Sequence, residues 1–241
     1  MNRKCLIALV VGLFVASAPA TAQESAFTRS CNVKLLSAFV LDIGARPSDS
    51  PALQASCRIT HKSGAYGGIW VGQLTDYLGE RSPLGTENDY YVGVAKKVGM
   101  FTLDVSAWLY DIANPKTFDG LAGDFVDVTG ALSCSTCKMS PYLEIHTLYG
   151  TGPRSFQGGW YAKVGGGKTV AVNKRFALGV DLNGVHNDGI GGGYANVLRL
   201  TVAPTIPLKG GGTLKVPISY SSPLKGEGLE DQFWGGVALF F

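Results

Sequence analysis

The feature that most constrains this chain is the alternation of apolar and polar residues in segment after segment. In 53–60 the odd-numbered residues are Leu, Ala, Cys and Ile, and the even-numbered residues are Gln, Ser, Arg and Thr. The same two-residue period occurs in 101–110, 176–183 and 214–220. This period predicts strands with one apolar and one polar face. No segment shows a comparable helical period, so the sequence predicts an all-β fold.

The number of strands and the lengths of their connections predict a closed barrel. Twelve strands fit the sequence, each near the roughly 9–11 residues that a tilted membrane strand needs. They are predicted at 33–42, 51–61, 66–75, 88–97, 100–110, 124–133, 141–149, 156–165, 169–183, 194–206, 213–221 and 232–241. Short turns at 62–64, 97–99, 165–167 and 210–212 alternate with longer polar connections at 75–87, 111–123, 184–193 and 222–231. This alternation is typical of a transmembrane, antiparallel, up-and-down β-barrel.

The first 22 residues have the pattern of a secretory signal peptide. Arg3 and Lys4 precede an apolar stretch, and the small residues of Ala20-Thr21-Ala22 match the site that signal peptidase recognises. Cleavage at this site predicts a barrel domain over 23–241. The apolar stretch is too short for a membrane helix, and no later run approaches the roughly 18 residues that one needs.

Composition excludes other classes of protein. Charged residues make up 16% of the chain, against about 25% in an ordinary soluble domain. The net charge of +3 falls to +1 if residues 1–22 are removed, which leaves no basic patch for nucleic acid. The chain is apolar but has no membrane helix, and its apolar residues occupy alternate positions. We therefore expect these residues to face lipid in the outer membrane of a Gram-negative bacterium.

The C-terminal strand carries a further indication. Its alternate positions are apolar and the chain stops at an aromatic residue; these positions are Phe233, Gly235, Val237, Leu239 and Phe241. A final strand of this kind looks like the signal by which barrel-assembly machinery recognises its substrates. We therefore expect that machinery as a partner during biogenesis.

Several segments between residues 33 and 133 carry a family resemblance. They read PALQ at 51–54, SGAYGGIW at 63–70, NDYYVG at 88–93 and DFVDV at 124–128, together with the strand at 101–110. They resemble the TorF family of porins, a conserved proteobacterial family. The resemblance implies a barrel and a pore, with no known catalytic chemistry. The chain departs from the family pattern in its cysteines and at Leu41-Asp42-Ile43-Gly44, where an aromatic residue followed by Arg-Gly is expected.

Charged and titratable residues on the predicted inner face are the candidate pore-lining positions. They are Arg58, Asp104, Asp127, Glu144, His146, Lys163, Asp181, Arg199 and Lys215. Charges of both signs along a passage set a preference among solutes through the local potential. The same side chains could instead pair and plug the interior, and a connection such as 111–123 could fold inward. We expect a channel for passive diffusion of small hydrophilic solutes or ions, without a cofactor.

Two alternative functions follow from other classes of protein. One is a soluble periplasmic β-barrel that holds a small apolar ligand. The other is a lipid-modifying barrel enzyme that uses Glu144 and His146, which share one side of a strand. A carboxylate beside a histidine is half of a hydrolase triad. Because no placed nucleophile and no G-x-S-x-G motif accompanies the pair, a structural role is favoured and no catalytic residue is predicted.

Four cysteines remain after the signal peptide, an even number in an oxidising compartment. A disulfide between Cys134 and Cys137 that closes a short turn is favoured, although four cysteines allow three pairings. Cys57 lies on the apolar face and is interpreted as a small lipid-facing hydrophobe. Lys138 follows Cys137 where a c-type haem site needs His, and zinc would need two more ligands, so neither haem nor metal is predicted.

Overall fold

The computed structural model describes residues 26–44, 51–74, 86–112, 125–151, 158–190, 194–225 and 229–241. The predicted signal peptide lies outside these residues, as do most of the predicted connections at 75–87 and 111–123. Within the described ranges, no helix is long and apolar enough to cross a membrane. The strands are β1 Phe27–Leu36, β2 Ala52–His61, β3 Ala65–Leu74, β4 Thr86–Val98, β5 Phe101–Ile112, β6 Phe125–Ser133, β7 Tyr142–Gly150, β8 Gly159–Asn173, β9 Phe176–Asp188, β10 Tyr194–Pro207, β11 Thr213–Lys215, β12 Ile218–Lys225 and β13 Gln232–Phe240.

These strands form one antiparallel sheet that closes on itself. Each strand from β1 to β10 pairs with the next, and β13 pairs back with β1, with Asn32 opposite Phe240. β11 and β12 both lie between β10 and β13, so they occupy one position in the wall. Pro217 separates them and has no N–H to donate to the ladder. The predicted twelve-stranded antiparallel barrel is therefore confirmed.

The two-residue period of the sequence becomes an outer and an inner surface. In β4, Val92 is 64% exposed on the outside, while Asp89 is 5% exposed on the inside. Tyr90 and Val94 share the outer face with Val92, and comparable apolar side chains are exposed on every long strand. A strand places successive side chains on opposite faces, so alternation in sequence becomes an apolar belt around a polar interior.

The short turns cluster at one end of the barrel, which we call the turn end. Turns at 62–64, 99–100 and 208–212 agree with prediction, and a longer one spans 134–141. The prediction of a turn at 165–167 is wrong, because these glycines lie inside β8 and the turn falls at 174–175. A side chain at Gly165 would come within 2.7 Å of the Tyr142 ring. The glycine therefore leaves room for an inward aromatic ring instead of making a turn.

Other strand boundaries also differ from prediction. β9 extends to Asp188 and β12 to Lys225, so the predicted connections 184–193 and 222–231 are too long. The first strand runs from Phe27 to Leu36, not over 33–42. The apolar residues that follow Leu36 leave the wall and enter the barrel, because their side chains are buried there.

Residues 37–44, here called the inward segment, fill part of the barrel interior. Ala38 is fully buried and Phe39 is 6% exposed, and the Phe39 ring lies 6.1 Å from that of Trp70. A turn ends the segment, in which the Gly44 N–H donates to the Leu41 carbonyl (3.1 Å). Gly44 has a φ of +87°, a conformation that favours glycine. The core of this barrel therefore forms where the inward segment meets the inner wall.

Candidate functional site

Polar contacts anchor the inward segment to the inner faces of β10 and β13. Arg199 Nη1 of β10 donates to Asp42 Oδ1 at 2.8 Å, and its Nη2 donates to the Leu41 carbonyl at 2.7 Å. Gln232 Nε2 of β13 donates to the Gly44 carbonyl at 2.8 Å. Hydrogen bonds to a charged partner are about twice as strong as neutral ones. Two strands remote in sequence therefore hold the segment in place.

The Asp42 contact continues as a network of alternating charges across the interior. Lys163 Nζ lies 3.3 Å from Asp42 Oδ2 and 3.6 Å from Glu144 Oε2. His146 lies between two carboxylates, with Nε2 3.6 Å from Glu144 Oε2 and Nδ1 2.7 Å from Asp127 Oδ2. Five of the nine predicted pore-lining residues thus form one network with Asp42, which sequence reasoning had assigned to a wall strand.

Arg58 and Asp104 form a separate group towards the turn end. Arg58 Nη2 lies 3.9 Å from Asp104 Oδ2, and its guanidinium carbon lies 3.4 Å from the centroid of the Tyr66 ring. The Tyr66 hydroxyl also donates to Asp104. The guanidinium is therefore held by a carboxylate and an aromatic face together.

The two remaining predicted residues have other polar or aromatic partners on the inner face. Asp181 Oδ1 accepts hydrogen bonds from the Tyr142 hydroxyl at 3.2 Å and from Asn183 Nδ2 at 2.8 Å. Lys215 Nζ lies 4.7 Å from the centroid of the Phe240 ring. These two residues do not join the larger network.

An aromatic wall that the sequence analysis did not assign lines one side of the interior. Tyr91 stacks on Trp108 with ring centroids 4.0 Å apart, and Tyr110 stacks on Phe125 at 4.3 Å. Tyr66 extends this wall with an edge contact to Tyr91 at 6.2 Å. The rings occupy inward positions on β3, β4, β5 and β6. Because they alternate in sequence with apolar outward residues, the two-residue period could have assigned them to the inner face.

A cavity of about 450 Å³ remains between the inward segment and this wall. Glu87 and Asp89 of β4 line it and are 7% and 5% exposed. Neither was among the predicted pore-lining residues: Glu87 fell outside the predicted strand 88–97, and Asp89 lay within that strand but was not assigned to the inner face. Following the period back from Val94 through Val92 and Tyr90 would have placed both carboxylates on the inner face.

The four cysteines form two disulfides. Cys31 and Cys57, directly opposite on β1 and β2, are joined, and so are Cys134 and Cys137 in the turn between β6 and β7. The favoured pair is therefore present in the structure. The interpretation of Cys57 as a lone lipid-facing hydrophobe is wrong, because antiparallel pairing brings Cys31 beside it on the outer face.

The last strand lies in the wall with its apolar face outward. Phe233 is 68% exposed and Val237 47%, and Leu239 and Phe241 share that surface. The backbone of Phe241 exchanges two hydrogen bonds of 2.9 Å with Cys31. The residues of the predicted assembly signal therefore belong to the strand that closes the barrel.

Three solved structures of outer-membrane porins or channels are similar to this barrel. The KdgM porin matches with a TM-score of 0.58 at 8% identity, covering 88% of this chain and 98% of that one. The NanC porin matches at 0.52 and 9% identity over 88% and 98% of the two chains. The COG4313 outer membrane channel from Pseudomonas putida F1 matches at 0.51 and 12% identity over 92% and 99%. These likenesses establish a shared barrel fold.

One protein family matches the chain in sequence, and its function is unknown. No curated protein is significantly similar to the chain in sequence. The model of one family, described as "Bacterial protein of unknown function (Gcw_chp)", matches residues 20–145, which is more than half of the 241 residues. The chain therefore belongs to the Gcw_chp family of bacterial proteins.

Proposed function

We propose that this protein is an outer-membrane channel for passive diffusion of small hydrophilic solutes or ions. The observation that carries the proposal is a closed barrel with an apolar outer belt and a charged interior containing a cavity of about 450 Å³. A lipid-facing belt around a polar lumen is the pattern of outer-membrane barrels. The porin and channel folds of the structural neighbours support the same function.

The proposed route to the membrane uses both ends of the chain. Residues 1–22 act as a signal peptide, and the barrel 23–241 is assembled through the apolar last strand that ends at Phe241. The resemblance of segments between 33 and 133 to TorF porins supports this assignment. Membrane lipid is then the partner of the outer belt, and small solutes are the partners of the lumen.

Two observations favour the channel over the alternatives. A soluble barrel would expose the apolar belt to water at a cost of about 25 cal/mol for each Å² of apolar surface. In the described interior, the Glu144–His146 pair that suggested a lipid-modifying enzyme is contacted by Asp127 and Lys163 and belongs to the charge network. That environment supports a structural role for the pair.

Conductance in planar bilayers tests the function directly. The barrel, refolded in detergent and inserted into a bilayer, should give discrete steps of current, and unheated protein should migrate faster than boiled protein on a detergent gel. Insertion without discrete conductance would refute the channel and leave the fold intact. Recovery of the protein in the soluble periplasmic fraction would refute the membrane location.

A further inference from the structure

The cavity has an acidic wall, defined by Glu87, Asp89 and Asp127. Glu87 and Asp89 project from β4 and Asp127 from β6, and all three line the cavity while being at most 7% exposed. Asp127 contacts His146, but no described Lys, Arg or His lies within ion-pair distance of Glu87 or Asp89. Burying an ionised carboxylate without a partner is costly, so a cation bound beside Glu87 and Asp89 would supply the partner that the described side chains do not.

Two oxygens of the acidic wall have no hydrogen-bond donor among the described residues. They are Oδ1 of Asp89 and Oδ1 of Asp127, both withdrawn from solvent. The other oxygen of Asp127 accepts from His146, so that side chain is held in a fixed direction. A buried acceptor that lacks a donor loses the hydrogen bonds it would make to water. A ligand carrying N–H donors would satisfy both oxygens.

Aromatic rings flank the same carboxylates. Trp70 of β3 and Tyr110 of β5 are the cross-strand neighbours of Asp89, and both line the cavity. Gly72, opposite Glu87, keeps the space for the indole, since a Cβ there would lie 2.2 Å from the Trp70 ring. Aromatic faces attract cations, with Trp the strongest. Carboxylates and ring faces together favour a cation with an organic skeleton.

The cationic side chains that line the cavity do not neutralise this wall. The Arg199 guanidinium is engaged by Asp42 at 2.8 Å. Lys34 lies in the same cross-strand row as Glu87 but three strands away, which is about 14 Å along the wall at 4.8 Å per strand. Arg199 and Lys34 therefore leave Glu87 and Asp89 without an ion-pair partner.

We propose that the acidic wall binds small organic cations that carry primary ammonium groups, so that the channel selects cationic solutes. This inference rests on the proposed channel function, because it names the class of solute. Each ammonium group has three N–H donors for the unpaired oxygens of the wall, a solute with two such groups can reach carboxylates on different strands, and its carbon chain packs on Trp70 and Tyr110. Among the described residues no cluster of His, Cys, Asp or Glu has the geometry to hold a metal ion, which favours an organic cation. A cavity of about 450 Å³ suits a solute of this size.

Calorimetric titration of the detergent-folded barrel with putrescine tests the site, and 1,4-butanediol is its uncharged counterpart. We expect putrescine to bind and the diol not to bind. The variant with Glu87→Gln and Asp89→Asn should lose about tenfold or more in affinity, since charge-assisted hydrogen bonds are removed. Asp181→Asn, which changes a lumen carboxylate bonded to Tyr142 and Asn183, should bind like the parent. Equal binding of diol and diamine, or unchanged affinity in the double variant, would overturn the inference.

Bilayer measurements separate this inference from the channel itself. In a KCl gradient the parent should show a reversal potential on the cation-selective side, and the double variant should shift it towards zero. Putrescine binding without conductance would refute the channel and support the site, whereas conductance without cation preference or putrescine binding would refute the site alone. The single variant Glu87→Gln, checked for closure by gel mobility, provides the same readouts if the double variant does not fold.

Discussion

The carboxylate of Asp42 makes the charged contacts that anchor the inward segment, so the substitution Asp42→Asn should loosen it. Asp42 bonds to Arg199 at 2.8 Å and to Lys163 at 3.3 Å. Asparagine keeps the shape and one acceptor oxygen but removes the negative charge between two cations. The repulsion between Arg199 and Lys163 is then relieved only by Glu144 and solvent.

The exposure of Asp42 sets the size of this effect. Breaking a fully buried ion pair by removing one partner costs about 3–5 kcal/mol. The Asp42 side chain keeps 38% of its exposure, and water screens part of the interaction, so we expect about 1–3 kcal/mol. Because 1.4 kcal/mol is a tenfold change in an equilibrium, the displaced state of the segment should become about 5- to 150-fold more populated.

Two measurements test the displacement of the segment. Single-channel recordings of Asp42→Asn should show larger or more frequent high-conductance levels, while Asp181→Asn serves as the matched lumen control. Ala38 is fully buried in the segment, so an Ala38→Cys substitution should react with a thiol reagent in the Asp42→Asn background and resist it in the parent. Parent-like conductance together with a protected Cys at position 38 would refute this reasoning.

Two further changes address the wall of the barrel. Leu200→Lys on the outer face should destabilise the barrel in lipid by about 2–4 kcal/mol at midplane depth. Thr201→Lys, one residue along β10 and facing the cavity, should destabilise it much less. Equal free energies of unfolding in urea for the two variants would contradict the assignment of faces. Replacing Cys31 and Cys57 together by Ser should lower the free energy of unfolding by about 3 kcal/mol, because the bond closes a loop with a sequence separation of 26. The conductance of this double variant should equal that of the parent, because the disulfide lies on the outer face. An altered conductance would indicate that the disulfide faces the lumen.

Much of the wall was predictable because strand alternation is a local property. The outward positions of β4 and β5 can be recognised from their apolar residues alone, and so can the inward positions of Asp104 and Asp127. The boundaries were less predictable. A glycine run at 165–167 looks the same in sequence whether it turns the chain or leaves room for the Tyr142 ring.

The sequence by itself determined an all-β barrel, the faces of its strands and the charges of its interior, because each depends on neighbours one or two residues away. Only the tertiary structure decided that residues 37–44 enter the lumen. Their anchor joins Asp42 to Arg199 across 157 positions of sequence. Closure of the barrel brings these groups together. It also makes Glu87, which was predicted to lie in a connection, line a cavity together with Asp89. A periodic pattern carries no information about such distant contacts, since they depend on the register of every strand between them.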